Sequence, residues 1–157
     1  MQQFYNQKIK RMSISYESQL NDWVNKEKSA VDLLNSVGTL MYDKGIELIL
    51  FRNHLLEIGV SELMNYVAYA NNVVEKTMTI ETAALLANEM SKLDLAPSKL
   101  DIGLLSAEYT SEGATDPHSF LNNKLAKIIE AKKDSVAPKD VILYGFGRIG
   151  RLAAREL

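Results

Sequence analysis

The chain of 157 residues contains no cysteine, so it can form neither a disulfide bond nor a thiolate metal site, and it supplies no catalytic thiol. It also lacks a charge excess: the net charge is −2 and the pI about 5.7, which gives no general attraction to nucleic acid. No run reaches the roughly eighteen apolar residues of a membrane span, and the N-terminus lacks the apolar core of a signal peptide. We therefore expect a cytoplasmic location, with neither membrane nor nucleic acid as a partner.

The composition is that of a globular protein. Hydrophobic residues make up 46% and charged residues 24% of the chain, which are ordinary values for a folded domain. At this length a single domain can bury a sizeable core. The composition therefore favours neither disorder nor a membrane class.

Helical spacing dominates the first part of the chain. Residues 1–14 have no clear period and predict a frayed lead-in with a basic cluster at Lys8, Lys10 and Arg11. From Tyr16 to Met41 the apolar residues recur at helical spacing, and Asp43-Lys44-Gly45 is the expected stop. Trp23 is interpreted as an apolar anchor in the core or between subunits.

The segment Ile46-Glu-Leu-Ile-Leu-Phe51 fits a buried strand or a buried helix, and we favour a helix. This helix would continue through Leu55 and end at Gly59. Ser61 and Thr79 are the predicted caps of two further helices. The second of these would bury one stripe of side chains: Ile80, Ala83, Ala84, Ala87 and Met90.

The stretch from Leu95 to Ala114 contains Pro97 and two glycines and predicts a loop-rich connection. Asp116-Pro117 predicts a helix start, because Asp caps well and Pro suits the first turn. A short linker over 134–139 then separates two units. The predicted fold is mainly α, with a helical N-terminal extension over 1–135 and the start of a dinucleotide-binding (Rossmann) domain over 136–157.

Neither histidine belongs to a pattern that indicates chemistry. His54 and His118 have no His partner at a metal-ligand spacing, so ordinary surface or capping roles are favoured for both. The carboxylates Glu57, Glu62 and Glu89 fall on predicted polar faces. The sequence therefore predicts no metal site and no catalytic residue in this chain.

The last eighteen residues have the spacing that a specific chemistry requires. The apolar run 141–144 predicts a buried strand, and glycines follow at Gly145, Gly147 and Gly150. In a G-x-G-x-x-G turn the first glycine allows a tight bend and the second allows the backbone to approach a pyrophosphate. The third allows close packing of the helix, which is predicted to start near Arg148. The predicted cofactor-binding residues are Gly145, Phe146, Gly147, Arg148, Ile149 and Gly150.

The stretch Gly145-Phe-Gly-Arg-Ile-Gly-Arg151 resembles the opening of phosphorylating glyceraldehyde-3-phosphate dehydrogenase. One bacterial branch of that family has a long N-terminal extension, and the chain resembles it in Ile46-Glu-Leu-Ile-Leu-Phe-Arg52 and Leu95-Ala-Pro-Ser-Lys-Leu-Asp-Ile-Gly103. The resemblance implies that the backbone amides of Arg148 and Ile149 hold the pyrophosphate of NAD. Tyr144 departs from the family pattern, which has Asn there.

The resemblance also implies what a longer parent protein does. That parent would be a homo-oligomeric glycolytic oxidoreductase that oxidises glyceraldehyde 3-phosphate with NAD and phosphate. Its nucleophilic Cys, the assisting His and the acidic ribose-binding residue lie downstream in the family. We therefore expect the chain to be an N-terminal fragment that has no activity alone. It should bind NAD weakly or not at all.

Two alternatives remain open. D-2-hydroxyacid dehydrogenases also have a Gly-Phe-Gly-Arg-Ile-Gly type of turn, but alternating strands and helices precede it. The other alternative is a noncatalytic helical interaction module in which the glycine turn is incidental.

Overall fold

The computed structural model describes residues 2–73, 78–131 and 141–156, with side chains described from Tyr16 onward. The mainly helical fold class is confirmed, and one small sheet lies among the helices. The linker predicted over 134–139 lies outside the described residues. The elements in chain order are α1 (Gln2–Lys44), β1 (Ile46–Leu50), β2 (Asn53–His54), α2 (Val60–Val73), α3 (Ile80–Lys92), β3 (Ser98–Asp101), α4 (Ile102–Ser111), α5 (Pro117–Lys124), α6 (Ala126–Ile129) and α7 (Arg148–Ala153).

The first helix is a single long element. Its backbone is helical from Gln2, so the frayed lead-in predicted for residues 1–14 is wrong for the described residues of that stretch. The helix ends at Lys44 as predicted, because Gly45 adopts a φ of 67° and its N–H donates to the carbonyl of Met41 at 3.0 Å. Trp23 is 56% exposed, so it is not a core anchor within this chain.

The segment Ile46–Leu50 is strand β1, so the helix favoured by the sequence is wrong. Ile46, Leu48 and Leu50 are buried, while the residues between them are half-buried, as strand alternation requires. The partner that decides the conformation is distant in sequence: β3 runs parallel to β1, with Ile46 opposite Ser98. On the other edge β2 pairs antiparallel with β1, which gives the order β2-β1-β3.

Two further predictions about this region are also wrong. Gly59 precedes α2 instead of ending a helix, and Ser61 lies inside the first turn of α2 instead of capping it. The stretch predicted as loop after Leu95 forms β3 and α4, because Leu100 pairs in the sheet and Asp101 caps the helix. A strand of four residues is too short to show a hydrophobic period, so it cannot be recognised from the sequence alone.

The core lies between the C-terminal half of α1, helix α3 and the sheet. The cap predicted at Thr79 is confirmed, since its side chain accepts the N–H of Thr82 at 3.1 Å. The predicted stripe of α3 is buried, and it packs against the C-terminal half of α1. Full burial of one large apolar side chain, such as Leu, Ile or Met, is worth about 1.5–3 kcal/mol. The α1 residues buried in this core are Ala30, Leu33, Val37 and Leu40.

Helix α5 starts as predicted. Asp116 accepts hydrogen bonds from the N–H groups of His118 and Ser119 at 3.2 and 3.1 Å, which satisfies two unpaired donors of the first turn. The predicted single helix is broken at Leu125, and α6 follows. The ring of Phe120 contacts that of Tyr109 edge-on at a centroid distance of 5.2 Å, which attaches α5 to α4.

The strand predicted over 141–144 is not formed. Residues 141–147 are irregular and all are exposed, although α7 begins at Arg148 as predicted. A strand exists only where another strand completes its backbone hydrogen bonds, and the described part of the chain places none beside this segment. None of the described helices is long and apolar enough to cross a membrane.

A matched pair of glycine substitutions tests the packing of α4 on the hairpin turn. A Cβ on Gly103 would lie 2.7 Å from Cε2 of Phe51, whereas one on Gly38 in α1 meets nothing within 4 Å. We expect Gly103→Ala to lower the free energy of unfolding by about 1–3 kcal/mol through overpacking. Gly38→Ala should raise it by about 0.5–1 kcal/mol, because Ala favours a helix interior. Urea denaturation measures both, and stabilisation by Gly103→Ala would contradict the packing described.

Candidate functional site

The glycine turn at 145–150 has the backbone that its spacing predicts. Gly145 has a φ of 98°, in the region that residues with a Cβ rarely adopt. Gly147 then occupies the N-cap position of α7. The first and second glycines thus bend the chain directly into a helix start.

The third glycine permits a close approach within the turn. A Cβ built on Gly150 would lie 2.3 Å from the carbonyl oxygen of Gly145, a separation that real atoms do not tolerate. A Cβ on Gly147 meets nothing within 4 Å. Gly150 is therefore required by the turn itself, while Gly147 leaves an open space beside the backbone.

The first turn of α7 presents backbone N–H groups without a side-chain partner. Gly147 offers no side chain to accept a hydrogen bond, and no side-chain cap is found at this helix in the described structure. The amides of Arg148 and Ile149 belong to this turn, where helical N–H groups have no intrahelical acceptor. Such groups favour a negatively charged oxygen.

The side chains around the turn are turned out to solvent. Phe146 is 68% and Ile149 81% exposed, and Tyr144 is fully exposed. Helix α7 has no buried residue. All six predicted cofactor-binding residues therefore lie together on an accessible segment, and its apolar side chains have no core to pack in.

A second special backbone conformation, which the sequence did not indicate, lies at the β1–β2 turn. Phe51 and Arg52 both have positive φ, 44° and 76°, the pattern of a tight two-residue hairpin turn without the usual Asn or Gly. The N–H of Phe51 donates to Oδ1 of Asp101 at 3.1 Å, and the same oxygen accepts the N–H of Leu104. The segments 46–52 and 95–103 thus meet in space here.

Both histidines contact carboxylates on the surface. His54 Nδ1 lies 2.6 Å from Oε1 of Glu47, and His118 Nδ1 lies 2.9 Å from Oε1 of Glu89. Burial alone would raise the pKa of Glu47, but hydrogen bonds from Lys99 and His54 outweigh it and lower that pKa. Within the described ranges, no three His, Asp or Glu side chains are grouped so that they could hold a metal ion.

Comparison with known proteins gives a local similarity. No protein-family profile matches the chain. The chain is 40% identical over 70 residues to the glyceraldehyde-3-phosphate dehydrogenase-like protein of Pseudomonas aeruginosa (strain UCBPP-PA14). The match covers 43% of this chain but only 15% of that protein. It supports a distant relationship to glyceraldehyde-3-phosphate dehydrogenase-like proteins.

The two later glycines of the turn should respond differently to a methyl group. Gly150→Ala places a Cβ against the carbonyl of Gly145 and should change the backbone amide chemical shifts of 145–151. Gly147 has open space around its Cα and a φ of −73°. Gly147→Ala should therefore leave the backbone amide chemical shifts of Gly145 and Arg151 unchanged. Two-dimensional NMR spectra of the labelled chain measure this, and equal perturbation by both variants would refute the geometry.

The ion pairs of Glu89 predict a pH dependence of stability. Hydrogen bonds from Lys92, and then from His118, lower the pKa of this carboxyl below its usual 4.5. A carboxyl with a lowered pKa in the folded state stabilises the fold above its unfolded pKa, and this contribution is lost as the pH falls through the folded pKa. Glu89→Gln should therefore lower the urea midpoint of unfolding at neutral pH. The difference in urea midpoint between the variant and the unchanged chain should shrink below about pH 4.5.

Glu57 provides the control, because its carboxylate has no ion pair among the described residues. Glu57→Gln should give the same urea midpoint as the unchanged chain at neutral pH. A Glu89→Gln difference that stays constant down to pH 3, well below the usual pKa of 4.5, would count against the pairing.

Proposed function

We propose that this chain is the N-terminal part of an NAD-dependent dehydrogenase of the glyceraldehyde-3-phosphate dehydrogenase type, and that Gly145 to Gly150 form its pyrophosphate turn. The observation that carries the proposal is the contact between the third and first glycines, which makes this G-x-G-x-x-G a bent, exposed turn ahead of a helix. The local identity to a dehydrogenase-like protein supports the same assignment.

The turn would contribute binding and orientation. In this assignment the amides of Arg148 and Ile149 donate to pyrophosphate oxygens, and the open space at Gly147 admits the cofactor close to the backbone. Arg148 and Arg151 add positive charge near the phosphates. The backbone contacts would hold the pyrophosphate in the middle of the dinucleotide, and the two Arg side chains would add only charge.

The chemistry would be supplied elsewhere in the longer protein. NAD, when bound, accepts hydride in the oxidation of glyceraldehyde 3-phosphate with phosphate as the acyl acceptor, as the resemblance implies. The family nucleophile is a Cys, and this chain has none. The matched relative is far longer than the shared 70 residues, which agrees with a division of binding and catalysis along the polypeptide.

The arrangement of elements bears on the D-2-hydroxyacid dehydrogenase alternative. That family would place alternating strands and helices before the turn. In the described ranges up to residue 131, helices α2 and α3 follow each other directly, and so do α4, α5 and α6. This arrangement therefore supports the glyceraldehyde-3-phosphate dehydrogenase type better than the D-2-hydroxyacid dehydrogenase type.

A glycine substitution in the longer polypeptide tests the proposed function. A product extended past Leu157, through the acidic residue expected about twenty residues beyond the turn, should bind NAD, and Gly147→Ala should weaken that binding at least tenfold. The added methyl would occupy the space of the pyrophosphate without disturbing the turn. Isothermal titration calorimetry provides the affinities.

Two comparisons control this experiment. Gly38→Ala, in α1, should leave NAD affinity unchanged. The 157-residue chain should show no micromolar binding, because its described part places no strand beside residues 141–144. Undiminished NAD binding by the Gly147→Ala product would refute the assignment, and so would micromolar binding by the 157-residue chain.

A further inference from the structure

A depression lies between the β1–β2 turn and helix α2, and it shares no residue with the glycine turn. Its volume is about 520 Å³, which is within the range of about 300–1,000 Å³ found for small-molecule sites. The β1–β2 turn and one face of α2 contribute three lining residues each: Phe51, Arg52, Asn53, Asn65, Tyr66 and Tyr69. A ligand bound here would therefore be independent of the proposed pyrophosphate turn.

Arg52 brings a positive charge to this depression. The residue is exposed, and no carboxylate among the described residues forms an ion pair with it. Two carboxylates of the neighbouring elements already have partners. Glu62 accepts the hydroxyl hydrogen of Tyr66 at 2.6 Å, and Oδ1 of Asp101 accepts two backbone N–H groups. The guanidinium is therefore available to a ligand, and its planar fork of donors fits a carboxylate or a phosphate.

Two tyrosines form the part of the wall that belongs to α2. Tyr66 and Tyr69 are three residues apart, which places them on one face of the helix. Tyr66 is half-buried against the core, whereas Tyr69 is 51% exposed. The hydroxyl of Tyr69 has no hydrogen-bond partner in the part of the chain that the structure describes. Two such rings offer apolar faces to a planar group, and the free hydroxyl offers it a donor.

The turn that carries Arg52 has a backbone conformation that its residue types disfavour. Two-residue turns with positive φ at both positions normally use Asn and Gly, whereas Phe51 and Arg52 have φ of 44° and 76° here. Residues with a Cβ keep such angles only where the surroundings hold them, and they cluster at ligand sites. Oδ1 of Asp101 holds the turn through the N–H of Phe51 at 3.1 Å. A turn that served stability alone would have glycine in the place of Arg52.

We propose that this depression binds a small organic anion that carries a planar ring. The guanidinium of Arg52 holds the carboxylate or phosphate of the ligand, and the rings of Tyr66 and Tyr69 contact its planar group. The amide of Asn65 and the hydroxyl of Tyr69 donate further hydrogen bonds. The charge of Arg52 selects against cations, and the tyrosine rings favour anions that have a ring over those that have none.

Two probes test the site in the isotope-labelled 157-residue chain by two-dimensional NMR: adenosine monophosphate, which joins a ring to a phosphate, and benzoate, which joins a ring to a carboxylate. We expect saturable shifts of the amides in 51–53 and 65–69, with dissociation constants on the order of 0.1–1 mM. Binding of one probe alone would support the proposal and identify the anionic group. No saturable shift with either probe up to about 10 mM, or shifts confined to 145–151, would overturn it.

Inorganic phosphate and adenosine separate the contributions of the charge and the ring. Each should bind at least about tenfold more weakly than adenosine monophosphate, because each can use only one part of the site. Phosphate binding as tight as that of the nucleotide would reduce the site to a general anion contact and overturn the proposal. Adenosine binding as tight as that of the nucleotide would remove the role of Arg52 and overturn it as well.

Arg52→Gln tests the cation, and Lys28→Gln is its matched control. Lys28 is also exposed, has no ion pair among the described residues and lies outside the depression. Arg52→Gln should weaken both probes at least about tenfold, while Lys28→Gln should leave both affinities unchanged. Undiminished binding by Arg52→Gln, or an equal loss in Lys28→Gln, would overturn the proposal.

Arg52→Gly distinguishes a binding role from a structural one. Glycine adopts a φ of 76° without strain, so this variant should lose probe binding and keep or raise the urea midpoint of unfolding. Retained probe affinity would overturn the proposal. A lowered urea midpoint would assign Arg52 to the stability of the turn and contradict the strain on which the proposal rests.

Tyr69→Leu tests the ring contact, and Tyr42→Leu is the control because Tyr42 lies outside the depression and is 72% exposed. Tyr69→Leu should weaken adenosine monophosphate several-fold and leave the weak binding of inorganic phosphate unchanged. Tyr42→Leu should change neither affinity. Unchanged nucleotide affinity in Tyr69→Leu, or a parallel loss of phosphate affinity, would contradict the proposed contact between Tyr69 and the planar group.

Discussion

The shared hydrogen bonds of Asp101 hold together the parts of the fold that are most distant in sequence. Its Oδ1 accepts one N–H from Phe51, at the turn after β1, and another from Leu104, in the first turn of α4. The same residue ends β3, which is parallel to β1. One carboxylate therefore fixes the hairpin turn, the strand pairing and the helix start relative to each other. The absence of a Cβ at Gly103 lets the ring of Phe51 lie directly on α4.

The parts of the fold that depend on local chemistry could be predicted. Thr79 and Asp116 cap helices where the sequence places them, and Gly45 ends α1. The bend at Gly145 and the helix start at Arg148 also follow from residue type and spacing. In each case the deciding contact lies within five residues.

The parts that depend on distant partners could not be predicted. Ile46–Leu50 is a strand because Ser98–Asp101 lies beside it, about fifty residues later in the chain. Conversely, residues 141–144 have a strand sequence but no neighbouring strand in the described structure, so they remain irregular. The positive φ angles of Phe51 and Arg52 also could not be predicted, because neither residue type favours a positive φ.

The glycine turn and the exposed apolar run before it belong to one account. The turn has the bend and the open backbone on which the proposed pyrophosphate contact depends, and the run has the composition of a central strand. Both features are explained if a longer polypeptide supplies the neighbouring strands of a dinucleotide-binding sheet.

Hydrogen exchange at the backbone amides of Ile142 and Leu143 measures this most directly, in the 157-residue chain and in a product extended past Leu157. The account predicts fast exchange in the shorter chain and strong protection in the longer one, and fast exchange in both would contradict it.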